Sequence, residues 1–155
     1  MAYQDKFSIE EWRTLQFSVL WVFHAIAEVD GIIDEDESAA LFGAFEGEID
    51  FPNKLATEVL NSINKDRQTI LSEFGADAVG IPMGIKAAAE LVEEKLSPEE
   101  AREFKQTLLY MGVAFAKASG ETPGETAGPR VSGAERAAIL TVTAILRLSL
   151  DDLMI

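Results

Sequence analysis

An all-α fold of about seven helices, arranged as a pseudo-two-fold internal repeat, is predicted for this 155-residue chain by three observations. Apolar residues recur at helical spacing along nearly its whole length. Four of the apolar runs are preceded by a Ser-x-x-Glu or Asp-x-x-Glu string. Two stretches copy one pattern: Ser8 to Gly31 lies over Ser97 to Gly120 without a gap, at an offset of 89. Ser8, Glu10, Glu11, Arg13, Leu20, Ala25, Ala27 and Gly31 are identical in both. The match resumes with Ile33–Leu41 over Val131–Ile139 at an offset of 98, so the second copy carries nine extra residues in its turn. No run alternates with period two, and no strand is expected.

The first helix is predicted over 9–29. Ser8-x-x-Glu11 forms its capping box, in which the serine oxygen accepts the third helical N–H and the glutamate reaches back to the serine N–H. Leu15, Val19, Val22, Ile26 and Val29 share one face, and Trp12, Leu20, Phe23 and Ala27 fill the neighbouring one. A helix apolar on most sides is a central, buried one. Gly31 suits the left-handed position that ends it. Asp34-x-x-Glu37 caps a second helix over 35–46, and further helices are predicted over 53–64, 67–79 and 83–95. The cluster Gly80, Pro82 and Gly84 suggests a break between the repeats. Ser97-x-x-Glu100 caps the helix over 98–118, with Pro98 at the first position, where its missing N–H costs nothing. Its stripe is Leu108, Met111, Phe115 and Ala118. Ser132-x-x-Glu135 caps the last helix, 133–149, whose stripe is Ala138, Val142, Ile145 and Leu148. Between these two lies Ser119 to Arg130, rich in Gly, Pro and Thr; a loop of that length is mobile or functional. The whole chain, 1–155, reads as one domain, with repeat units at about 7–50 and 96–150.

Composition narrows the function. The net charge is −14 and the pI about 4.4, so no nucleic acid is expected as a partner, and anionic lipid is disfavoured. Cysteine is absent and there is one histidine, which removes disulfides, thiolate zinc sites, cysteine nucleophiles and multi-histidine metal sites. The N-terminal MAYQDKFSIEEW has no apolar signal core, and the longest apolar runs fall short of the ~20 residues that span a bilayer. A soluble, cytoplasmic chain without a membrane span is expected. No Gly-rich phosphate loop, nucleophile elbow or zinc-helix motif occurs, and no enzyme activity is expected.

The two copies agree in framework and differ in chemistry. Glu28 to Glu37 holds six acids in ten positions. Asp30, Asp34 and Asp36 become Ser119, Ser132 and Ala134 in the second copy, whereas Glu37 keeps its counterpart Glu135. A turn closed by Gly31 would let Asp30, Asp34 and Glu37 converge, with Asp36 secondary. Short carboxylates at a turn suit a hard cation such as Ca²⁺ or Mg²⁺. The same residues also fit a purely structural role as turn and cap acids that complement a helix dipole. The spacing is not that of an EF-hand, since glycine follows Asp30 directly. His24, four residues before Glu28, reads as a packed core residue, and Trp12, Trp21, Phe17, Phe23 and Tyr110 as core aromatics.

The string Ala27-Glu28-Val29-Asp30-Gly31-Ile32-Ile33-Asp34-Glu35-Asp36-Glu37 resembles the tellurite-resistance TerB-like family. Ala116 to Gly120 and Val131 to Glu135 look like the other half of that duplicated helical domain. The resemblance covers roughly residues 7 to 150. It implies a compact all-α domain without established catalysis, a link to stress and tellurite resistance, and metal-ion binding at the acidic turn through Asp30 and Glu37. Ser119 departs from the pattern, so no second equivalent site is expected. The competing reading is a helical interaction module for an unknown protein partner, or a homodimer, in which the acidic turn is only a cap.

Overall fold

A computed structural model describes residues 3–27, 35–47, 51, 53–77, 80–119 and 133–148; side chains at 27, 35–37, 116–119 and 133–135 are outside the description. The described residues form a short 3-10 turn, Tyr3–Lys6, and seven α-helices: α1 Ile9–Ala27, α2 Glu35–Phe45, α3 Lys54–Lys65, α4 Arg67–Ala76, α5 Ile81–Lys95, α6 Pro98–Ser119 and α7 Gly133–Ile145. The all-α prediction holds. The helix bounds agree with the sequence reading to within a few residues, and the 3-10 turn was not anticipated.

Two of the four capping boxes lie among the described residues, and both are closed. Ser8 N–H donates to Glu11 Oε1 at 2.8 Å, and Glu11 N–H donates to Ser8 Oγ at 3.1 Å. At α6 the corresponding bonds of Ser97 and Glu100 are 3.3 and 3.2 Å. The boxes of Asp34 and Ser132 lie outside the described residues, as do Gly31 and Gly120. Asn53 caps α3 by accepting the Ala56 N–H at 2.8 Å.

α1 occupies the centre. Leu15, Val19, Leu20, Val22 and Ile26 are each 0% exposed. Its most extensive contacts are with α5 and α6, and α3, α4 and α7 also pack on it. Both main neighbours approach through a glycine. A methyl group at Gly84 of α5 would overlap the Trp21 indole. One at Gly112 of α6 would overlap the tip of Ile26 and lie 3.1 Å from Val22 Cγ1. Glycine inside a helix costs roughly 0.5–1 kcal/mol relative to alanine, so each is explained by the contact it permits. The helix interruption expected about this cluster lies before α5, ahead of Gly84. Gly80 caps α5 and Pro82 lies in its first turn, whereas Gly84 is a buried interior position.

α7 ends in a Schellman turn. Arg147 N–H donates to the Ala144 carbonyl and Leu148 N–H to the Thr143 carbonyl, both at 3.0 Å. The left-handed residue such a turn requires is Arg147, at φ 62°, where glycine is usual. Its guanidinium reaches Glu93 Oε1 at 2.8 Å and Glu90 Oε2 at 3.1 Å, tying the end of α7 to α5. Glu93 also accepts from Lys105 Nζ of α6 at 2.9 Å, and that lysine side chain is only 8% exposed. One glutamate therefore joins α5, α6 and the end of α7.

Candidate binding surfaces

In sequence, the acidic segment Glu28 to Glu37 follows α1, Ile9–Ala27, and reaches into α2, Glu35–Phe45. Asp30 and Asp34 lie outside the described residues, and so do the side chains of Asp36 and Glu37. Among the described residues, no three His, Asp or Glu side chains are grouped to hold a metal. The Ser119 to Arg130 loop falls beyond Ser119, also outside the description. The core readings hold: Trp12, Phe17, Trp21 and Phe23 are buried, while Tyr110 is half-buried. His24 is partly exposed and stacks on Phe74 with ring centroids 5.3 Å apart.

Two surface hollows are formed by described residues. The first, about 830 Å³, lies between the 3-10 turn, α1 and α3. Trp12 Nε1 donates to Ser62 Oγ at 3.2 Å, and Gln16 Nε2 donates to the same oxygen at 2.9 Å. The Ser62 hydroxyl donates to the Val59 carbonyl at 2.7 Å, so its donor and both its lone pairs are engaged. Arg13 donates to Gln16 Oε1 at 2.9 Å. This floor satisfies itself and serves to join α1 to α3.

The N-terminal turn is tied down beside it. Tyr3 N–H donates to both Glu58 oxygens, and the Tyr3 hydroxyl donates to Glu100 Oε2 at 3.1 Å. That last bond, with some burial, raises the Tyr3 phenol above its usual range. Glu100 and Glu11 are held below the ordinary carboxylate range, chiefly by the backbone N–H of Ser97 and of Ser8. These shifts belong to helix caps and strap contacts.

The second hollow is an apolar groove between α5 and α7. Ile81, Pro82 and Ile85 line one side and Ala138, Thr141 and Ile145 the other, in a volume of about 440 Å³. It continues past Met83 and Lys86 toward Ala144 and Arg147, adding about 290 Å³. Met83 is 68% exposed and Leu140 45%. No aspartate or glutamate is among the described residues lining it, although the chain has 27 acids. Phe42, 36% exposed, differs because the Arg67 guanidinium covers its ring at 5.1 Å. The sequence reading found the inward stripe of α7 and missed the outward one, where Ala137, Leu140, Thr141 and Ala144 are exposed. The signal was present: a helix apolar on both faces is normally covered on both.

No family model, curated protein or solved structure matches this chain. No helix among the described residues is long and apolar enough to cross a membrane.

Proposed function

We propose that the chain is a non-enzymatic helical binding protein of TerB-like type, acting in stress or tellurite resistance through a protein–protein surface on α5 and α7. The observation that carries this reading is the groove, apolar and free of acids in its described lining, with Met83 and Leu140 standing open beside it. Exposed apolar patches on otherwise strongly charged proteins mark interaction sites. The TerB-like part of the reading rests on the string Ala27 to Glu37 and its counterpart in the second copy. A photo-crosslinking residue placed at Met83 or Leu140 is expected to trap protein partners in cells. The same residue at Ile9, which is 88% exposed in the first hollow, is expected to trap none. Equal trapping at all three positions, or none at Met83 and Leu140, would sink the reading.

A second reading is favoured by the six acids within Glu28 to Glu37. A divalent cation held by Asp30, Asp34 and Glu37, with Asp36 nearby, would offset their mutual repulsion and fix the angle between α1 and α2. Chelator-treated protein titrated with Ca²⁺, Mg²⁺ or Mn²⁺ is expected to show a saturable rise in Tm that Asp30→Ala lacks. An equal small shift in both proteins would leave the acids as caps and surface charge.

A further inference from the structure

We infer that segment 149–155, SLDDLMI, docks into the α5–α7 groove of its own chain, and that a protein partner must displace it. The inference rests on the groove being a protein-binding surface and names what regulates it. The point of exit is the first argument. α7 is stopped by the left-handed Arg147, which lines one end of the groove, and Leu148 packs on the core. The seven residues that follow therefore start at the groove. Extended, they reach about 23 Å, whereas the groove from Arg147 back to Ala137 is about 15 Å of helix.

The chemistry agrees in order as well as in kind. The segment carries two acids, Asp151 and Asp152, and then three large apolar residues, Leu153, Met154 and Ile155. The groove presents matching features from the same end. Near Arg147 it holds Lys86, which has no ion-pair partner among the described residues, while Arg147 itself is paired with Glu90 and Glu93. Farther along, its walls are Pro82, Ile85, Ala138 and Ile145. With the acids at Lys86, the last three residues fall on that apolar stretch. Of the other long segments outside the description, 28–34 is committed to joining α1 to α2, and 120–132 has Val131 as its only large apolar residue.

A small face is sufficient for such an occupant. A short tether supplies an effective concentration on the order of millimolar, so a contact too slight to hold a separate molecule holds a tethered one. A partner must then outcompete the segment, and its apparent affinity falls in proportion to the fraction of molecules whose groove is open.

The test is nuclear magnetic resonance of the full 16.9 kDa chain. The amides of 151–155 are expected to have order parameters near the rigid-backbone value of about 0.85, against less than about 0.6 for a mobile segment. A nitroxide on Leu140→Cys is expected to broaden those amides, and one on Ile9→Cys is not; the chain has no native cysteine to take the label. Lys86→Glu and, separately, Leu153→Asp are expected to free the segment without changing the circular dichroism, since Lys86 is exposed and Leu153 lies beyond α7. Lys86→Glu combined with Asp151→Lys and Asp152→Lys is expected to dock it again. With the segment freed by Leu153→Asp, a crosslinker at Leu140 is expected to trap about several-fold more partner. Wild-type order parameters below about 0.6 overturn the inference, as does a segment that Lys86→Glu leaves in place or that the label at position 9 broadens instead. A mobile segment on a chain that still crosslinks to other proteins through Met83 and Leu140 refutes this occupant and retains the binding surface. A docked segment on a chain that traps no protein even as Leu153→Asp sustains the docking and sinks the protein-binding reading.

Discussion

Alanine at position 84 is expected to destabilise the fold by about 1–3 kcal/mol, even though alanine is the better helix former by about 1 kcal/mol. The added methyl falls on the Trp21 indole, a rigid ring that is itself only 4% exposed and hemmed in by Phe17 and Phe74. Neither the ring nor the α5 backbone can yield without disturbing a second contact. Gly75→Ala is the control. Gly75 sits exposed in α4 with open space where its Cβ would lie, so there the same substitution is expected to stabilise by up to about 1 kcal/mol. Removing the ring as well should reveal the coupling. Trp21→Ala alone is expected to cost about 3–5 kcal/mol, and the added penalty of Gly84→Ala should then largely vanish. Urea unfolding of the four proteins measures this. If Gly84→Ala is as stable as the wild type, the close packing of α5 on α1 is wrong.

Glu93→Ala is expected to cost about 2–3 kcal/mol, and Lys105→Met less than about 1 kcal/mol. The asymmetry follows from burial. Lys105 has 8% of its side chain exposed and is inserted among core residues of α6, while Glu93 is 30% exposed. Taking the glutamate away leaves an ammonium with little water and, among the described residues, no other carboxylate paired with it. Methionine at 105 fills the same space and removes the need for a partner. Glu93 also bonds Arg147, whose left-handed backbone conformation is held partly by that contact. Glu93→Ala should therefore also loosen the end of α7. In a double-mutant cycle, most of the Glu93→Ala penalty should disappear on the Lys105→Met background. Equal single-mutant costs would refute this account.

Much of the fold was legible because local and global signals agreed. The serines at 8 and 97 and their glutamates are local chemistry, readable from four consecutive residues, and they form the boxes expected. The burial of α1 followed from its breadth of apolar residues. The glycines were harder to read. Gly84 looks like a helix breaker in a string with Gly80 and Pro82, and only the position of Trp21, more than sixty residues away, makes it a packing device. Lys105 and Glu93 carry no sequence signal of pairing, since their contact is set by the angle between α5 and α6. The acidic turn is the converse case. Its composition is plain in the sequence, but convergence of Asp30, Asp34 and Glu37 depends on loop geometry that periodicity does not encode.

The central position of α1 has a consequence during synthesis. α1 is made before the helices that enclose it, and α6 is not complete until Ser119, 92 residues after α1 ends. At about 5–20 residues per second, α1 waits roughly 5–20 s for its second wall. Through that interval Leu15, Val19, Val22 and Ile26 face water or whatever binds them on the nascent chain. The core is therefore completed late in synthesis, and α1 is the segment most in need of a chaperone.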